Sequence, residues 1–235
     1  LTERINIGEG RVKITPPKDG KDLDGEFIFK FDKGDDEEVA FISSHFPNPK
    51  SKTPAKILFH DPEAGAVSKE QEKDLRRFFA HFEQEINEDD FDEETEYEDY
   101  IEVTSFIDYI LISELTKNID AYRISTYFTL QNINNRKKLK AGPVWDYNLA
   151  YGNANYCEAY LTSGWSLDFN AICPDHDNLV HFWWIRLLQH PKFSALISQR
   201  YNELRATYWQ EERIWNFIDH TAQTLSGPQA RNHAK

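Results

Sequence analysis

Residues 138–151 read KLKAGPVWDYNLAY, from Lys138 to Tyr151. Lys138 and Lys140 alternate with Leu139, and together with Val144 and Trp145 they predict a short strand that runs into Asp146-Tyr147-Asn148. A carboxylate therefore stands at the strand's exit, where the backbone stops pairing and a ligand or hard cation can approach. Oxygen-ligand Mg²⁺ and Ca²⁺ sites are often built this way. An Asp at a strand end also caps turns, so Asp146 taken alone admits both readings.

The preceding segment adds context. Thr104-Ser105 followed by FIDYILISELTKN predicts a helix with a Thr or Ser N-cap and apolar Phe106, Ile107, Ile110, Leu111 and Leu115 at helical spacing, stopping near Asn118. Asp120 then sits in a short link. Ser125–Leu130 is rich in strand formers, and QNINNR (131–136) predicts a polar turn into the Lys138 strand. Helix, acidic loop, strand, turn, strand and acidic strand-end also follow one another around the active site of protein kinases. There one Asp accepts the substrate hydroxyl proton and a second, after a hairpin, holds Mg²⁺ on the ATP phosphates. Asp120 and Asp146 fall in those two places.

NIDAYRISTYF (118–128), GPVWDYNLAYGNANYC (142–157), SGW (163–165) and FWWIRLL (182–188) together resemble the CotH family of atypical, secreted, spore-coat-type protein kinases. WDYN at 145–148 matches the family's W-D-[FY]-[DN], and the resemblance runs from residue 1 to at least Pro191. It implies that Asp146 is the metal-binding Asp and Asp120 the catalytic-loop Asp. It also makes Asn148 a second metal ligand, in a place where many members carry Asp, and Asn148 and Trp145 contacts to the nucleotide. The implied cofactors are Mg²⁺ (or Mn²⁺ or Ca²⁺) and ATP, the partner a protein substrate, and the location secreted or at the cell surface. Two features depart from ordinary protein kinases. No H-R-D precedes Asp120, and Ser125 rather than Asn stands five residues after it. Neither G-x-G-x-x-G nor V-A-I-K occurs, and because these elements lie N-terminal in kinases and the chain opens mid-strand, they are expected upstream. Lys13, Lys30 and Lys33 are the phosphate-binding cations nearest at hand, but none has the V-A-I-K context, so poor ATP binding by residues 1–235 alone is expected.

Composition limits the remaining classes. With 235 residues, 40% hydrophobic and 14% aromatic, the chain can bury a sizeable core. A formal charge of −13 argues against nucleic acid and anionic membrane surfaces, which recruit clustered Lys and Arg. No run approaches the roughly 18 apolar residues of a membrane helix. A signal peptide is not visible, and Leu1 is not a natural start, so this is silent on export.

From the N-terminus, Arg11–Ile14 and Glu26–Phe31 alternate in polarity around the turn Pro16–Gly20, predicting an antiparallel hairpin; the resemblance implies that Glu3 lies in a motif of the nucleotide-covering lobe, and a solvated strand Glu is the alternative. Asp32–Asp36 reads as a surface turn, and HFPNPKSKTPAK as a connection before a short strand at Ile57–Phe59. Ser68 and Gln71 form a capping box for a helix with Leu75, Phe78, Phe79, Phe82 and Ile86 on one face. Residues 83–99 hold eleven acidic side chains, read as solvated surface. Amphipathic helices are predicted at 180–189 and 193–209, broken at Pro191, with a last helix around Ile214, Phe217 and Ile218. His181 reads as a core histidine. Gly152–Asp177 follows the second Asp as an activation segment does in kinases, and core packing is expected for Tyr156 and Trp165, with stacking on a base or sugar as the alternative. Cys157 and Cys173 fit either one loop-closing disulfide or two buried thiols.

The expected fold is therefore α+β, a mostly helical C-terminal lobe with a small antiparallel β portion, atypical protein-kinase-like. Residues 1–62 would be the remnant of an N-terminal β-rich lobe with its linker, and 63–235 the helical lobe carrying the acidic site. The function implied is metal-dependent phosphoryl transfer from ATP to a protein Ser or Thr. A two-carboxylate glycoside hydrolase and a non-catalytic surface or carbohydrate-binding module stand as alternatives.

Overall fold

The computed structural model describes residues 4–45, 54–88 and 97–233. Along the chain run β1 (Phe27–Phe31), β2 (Val39–Ile42), β3 (Lys56–Asp61), α1 (Lys69–Asn87), α2 (Tyr97–Tyr100), α3 (Val103–Thr116), β4 (Thr126–Ile133), β5 (Arg136–Ala141), α4 (Phe169–Ile172), α5 (Phe182–Gln189), α6 (Pro191–Ala206) and α7 (Glu211–His233). All five strands join in one antiparallel sheet, ordered β2-β3-β1-β4-β5. The class is α+β, as expected. Strands from either side of residue 62 pair directly, β1 with β4. The chain divides into two compact units, Leu1–Ser194 and Ala195–Lys235. In the second, α7 follows the greater part of α6, and the Trp209 N–H closes the turn on the Leu204 carbonyl at 2.7 Å.

In the first unit β1 is buried on both faces, which is why FIFKF is almost continuously apolar. Phe29 meets Phe79 of α1 at 5.1 Å and Phe31 meets Trp183 of α5 at 5.2 Å, while Phe106 of α3 packs on Trp184. The other face carries Ile28 and Tyr127, covered by Ile5 with Ile7, Val12, Ile14 and Trp145 packed against them. Here the predicted hairpin is corrected. Both edges of β1 are taken by β3 and β4, so Arg11–Ile14 lies across the back of the sheet, and the two segments are linked at Thr15, whose carbonyl accepts from Glu26 N–H at 2.8 Å and whose N–H donates to Glu26 Oε2 at 2.7 Å. The alternation was a burial pattern: Val12 and Ile14 half-buried, Arg11 and Lys13 exposed.

α1 opens with the expected capping box, Ser68 Oγ accepting from Gln71 N–H at 3.2 Å and Gln71 Oε1 from Ser68 N–H at 2.9 Å. Glu83 departs from the solvated reading of the acidic run; residues 89–96 of that run lie outside the described residues. One turn beyond Phe79, Glu83 shares the buried face and is only 1% exposed. It accepts from Trp183 Nε1 and Ser43 Oγ, both at 2.9 Å, and burial raises its pKa against those bonds. His181 is a core residue, with Nδ1 accepting the Trp183 N–H at 3.4 Å and Nε2 3.7 Å from Glu83. Burial lowers its pKa to about 3, so the ring is neutral.

Three boundaries shift. α3 is capped by Glu102, not Thr104 or Ser105, because the Glu102 N–H bonds the Leu139 carbonyl of β5 at 2.8 Å and its carboxylate takes the Ser105 N–H at 2.8 Å. β4 and β5 extend through most of the predicted turn, leaving Asn134 and Asn135, with φ of 52° and 62°, as a two-residue hairpin turn. β5 ends at Ala141, so Val144 and Trp145 lie beyond it; Gly142 turns the chain there at φ 109°.

Cys157 and Cys173 are disulfide-bonded, with Cα atoms 5.9 Å apart. A closed loop of this size contributes on the order of 3 kcal/mol, so reduction should lower Tm by roughly 6–12 °C. Calorimetry with and without a reductant checks this; an unchanged Tm in fully reduced protein would remove the stabilising role.

Candidate functional site

The C-terminal end of α3 organises the two acidic loops. Lys117, at φ 45°, ends the helix, and the Asn118 N–H returns to the Ser113 carbonyl at 3.0 Å. The Asn118 side chain accepts the Asp120 N–H at 3.3 Å, and the Tyr147 phenol oxygen lies 3.0 Å from Ser113 Oγ. Tyr151 N–H bonds the Thr116 carbonyl at 2.7 Å. One helix end thus fixes the loop of Asp120 and the turn that follows Asp146.

Asp146 stands at φ 54°, half-buried, on the wall of a cleft of about 810 Å³ between the 4–13 segment and the β4–β5 hairpin. Trp145 lines the same cleft and meets the Tyr127 ring edge-on at 6.1 Å. Arg4, Arg11, Lys13 and Lys140 add four cationic side chains to its walls. Tyr127 lies beneath: burial, then the nearby Asp32 and Asp146 carboxylates, push its pKa up to about 12.

Asp120 is not on that cleft. It is 8% exposed, and its Oδ1 accepts from Arg123 Nη2 at 2.6 Å and Tyr156 Oη at 3.2 Å. Arg123 lies over the Phe169 ring at 4.1 Å and lines a second, smaller cleft of about 310 Å³ with Asp32, Lys33, Lys56 and Asp177. Burial lowers the Arg123 pKa and Asp120 opposes it. Asn148 is exposed, outside the larger cleft, and its carbonyl accepts from Asn153 Nδ2 at 2.7 Å. The structure therefore brings Asp146 and Trp145 together and sets Asp120 and Asn148 apart from them. The three lysines named from sequence also separate: Lys13 lines the larger cleft, Lys33 the smaller, and Lys30 pairs with Glu38 at 3.3 Å.

Trp165 is 62% exposed, against the expectation of core packing, because Glu114 holds the next two backbone N–H groups, Ser166 at 2.8 Å and Leu167 at 3.2 Å, and turns the indole outward. Arg123 and Tyr156 were missed as partners of Asp120. The i, i+3 spacing from Asp120 to Arg123 was the available signal; Tyr156, 36 residues away, left none.

Among the described residues no group of three or more His, Cys, Asp or Glu side chains is placed to hold a metal. Asp146, the one carboxylate on the cationic cleft among the described residues, still suits Mg²⁺, which is usually held by one or two carboxylates plus the phosphates of its nucleotide. No helix among the described residues is long and apolar enough to cross a membrane. Searches of curated proteins and of solved structures return no match. A family model described as CotH kinase protein matches residues 18–235. With nearly the whole chain inside that match, the protein belongs to the CotH kinase family.

Proposed function

We propose that this chain carries out metal-assisted transfer of the ATP γ-phosphoryl group to a protein Ser or Thr hydroxyl. The observation that carries the reading is the composition of the larger cleft: a carboxylate, an indole and four cations around a space of nucleotide size. Asp146 would hold the Mg²⁺ that accompanies the nucleotide. Bound there, it would supply charge neutralisation of the nucleotide phosphates. Trp145 offers an apolar wall to a base or sugar, and Lys13 and Lys140 would supply phosphate-facing charge in place of a V-A-I-K lysine, so that on this reading the chain binds ATP, against the poor binding expected from its sequence. Asp120 does not line that cleft; its loop and the turn after Asp146 are held by the same end of α3, and from there it would orient the acceptor hydroxyl, which in a loose transition state matters more than strong basicity. An exported location agrees with the Cys157–Cys173 bond, since disulfides persist in oxidising compartments.

Calorimetric titration with ATP, ADP and AMP in Mg²⁺ tests the reading. Lys13→Gln combined with Lys140→Gln is expected to weaken ATP about tenfold and AMP little, because only the longer phosphate chain meets those cations. Absence of ATP binding by the unaltered protein would overturn the proposal.

A further inference from the structure

We infer that Arg123 and Tyr156 are positioning residues for Asp120, held in place from the disulfide-closed loop; this rests on the function proposed above. Both of their bonds land on one carboxylate oxygen, Oδ1, at 2.6 Å and 3.2 Å. The bonds that the carboxylate takes from the described residues fall on Oδ1, and the side chain keeps 11% exposure, so the clamp leaves Oδ2 to accept a hydroxyl. The clamp is itself braced. Arg123 Nε donates to the Ile119 carbonyl at 2.9 Å, Nη1 to the Asn178 carbonyl at 3.4 Å, and Nη2 also reaches Tyr156 Oη at 3.3 Å. With its side chain 1% exposed and its face on Phe169, the guanidinium has one orientation. Phe169 lies inside the loop closed by Cys157 and Cys173, and Tyr156 immediately precedes Cys157. The bond therefore sets the position of two of the groups that determine where Oδ1 sits.

A buried ion pair can also be a fold element alone, and the two roles give different readouts. Tyr156→Phe removes one hydrogen bond and keeps the ring. Its turnover of labelled ATP, with casein as acceptor, is expected to fall about tenfold with KM for ATP within about twofold and Tm nearly unchanged. Arg123→Lys keeps the charge, loses the planar fork, and is expected to lose more turnover with the same unchanged ATP affinity; if it does not fold, Tyr156→Phe decides alone. Equal turnover in folded Tyr156→Phe overturns the positioning role while leaving the proposed function intact. ATP binding without turnover by the unaltered protein overturns the positioning role as well, because no reaction then depends on Asp120. Failure of that protein to bind ATP overturns both.

Discussion

Asp146→Asn is expected to lower ATP turnover roughly a thousandfold, the scale on which removal of one electrostatic contact to a developing charge is felt. The substitution keeps the shape of the side chain and removes the charge of the one carboxylate that lines the larger cleft among the described residues. Little stability should be lost, since Asp146 makes no capping bond with its side chain in the turn it opens. The direct readout is ATP affinity as a function of Mg²⁺. In the unaltered protein Mg²⁺ should strengthen ATP binding, whereas in Asp146→Asn it should not. Mg²⁺ alone should bind weakly to either, because one carboxylate leaves most of the coordination shell to phosphate and water. A folded variant that keeps the full Mg²⁺ dependence would take Asp146 out of the metal role. Asn148→Ala should do far less, as Asn148 lies outside the cleft.

Trp183→Ala should come close to unfolding the protein. The indole is fully buried among Phe31, Phe79, Phe82, Phe128 and His181, with ring centroids 4.7–6.1 Å away. Truncating such a residue costs about 3–5 kcal/mol. It also takes the Nε1 donor from buried Glu83, adding about 1–3 kcal/mol, against a total stability of about 5–15 kcal/mol. Trp183→Phe separates the parts, retaining most of the packing and losing the donor. Burial holds the folded Glu83 pKa above its unfolded value, so the protonated form is favoured in the fold and stability from this group is lost as pH rises through that pKa. The deficit of Trp183→Phe should therefore widen from acid to neutral pH in denaturant melts, since the bond it lacks serves the ionised carboxylate. A deficit independent of pH would show that Trp183 acts through packing alone.

The sequence by itself determined what depends on near neighbours along the chain. The capping box of Ser68 and Gln71, the buried stripe of Leu75, Phe79, Phe82 and Ile86, the β4–β5 hairpin and the core character of His181 follow from local spacing and side-chain type. The WDYN motif carried the family resemblance. Only the tertiary structure decided how distant segments meet. Val12 and Ile14 alternate like a strand, but the edges of β1 were already occupied, and backbone pairing is settled by competition among all strands. Glu83 looked like one more member of an acidic run until α5 brought Trp183 Nε1 to it from 100 residues away. The cations of the larger cleft come from the 4–13 segment and from β5, and Asp120 is clamped from Tyr156 and braced through Phe169. Those arrangements pair charges and donors across long sequence separations, and local periodicity carries no information about them.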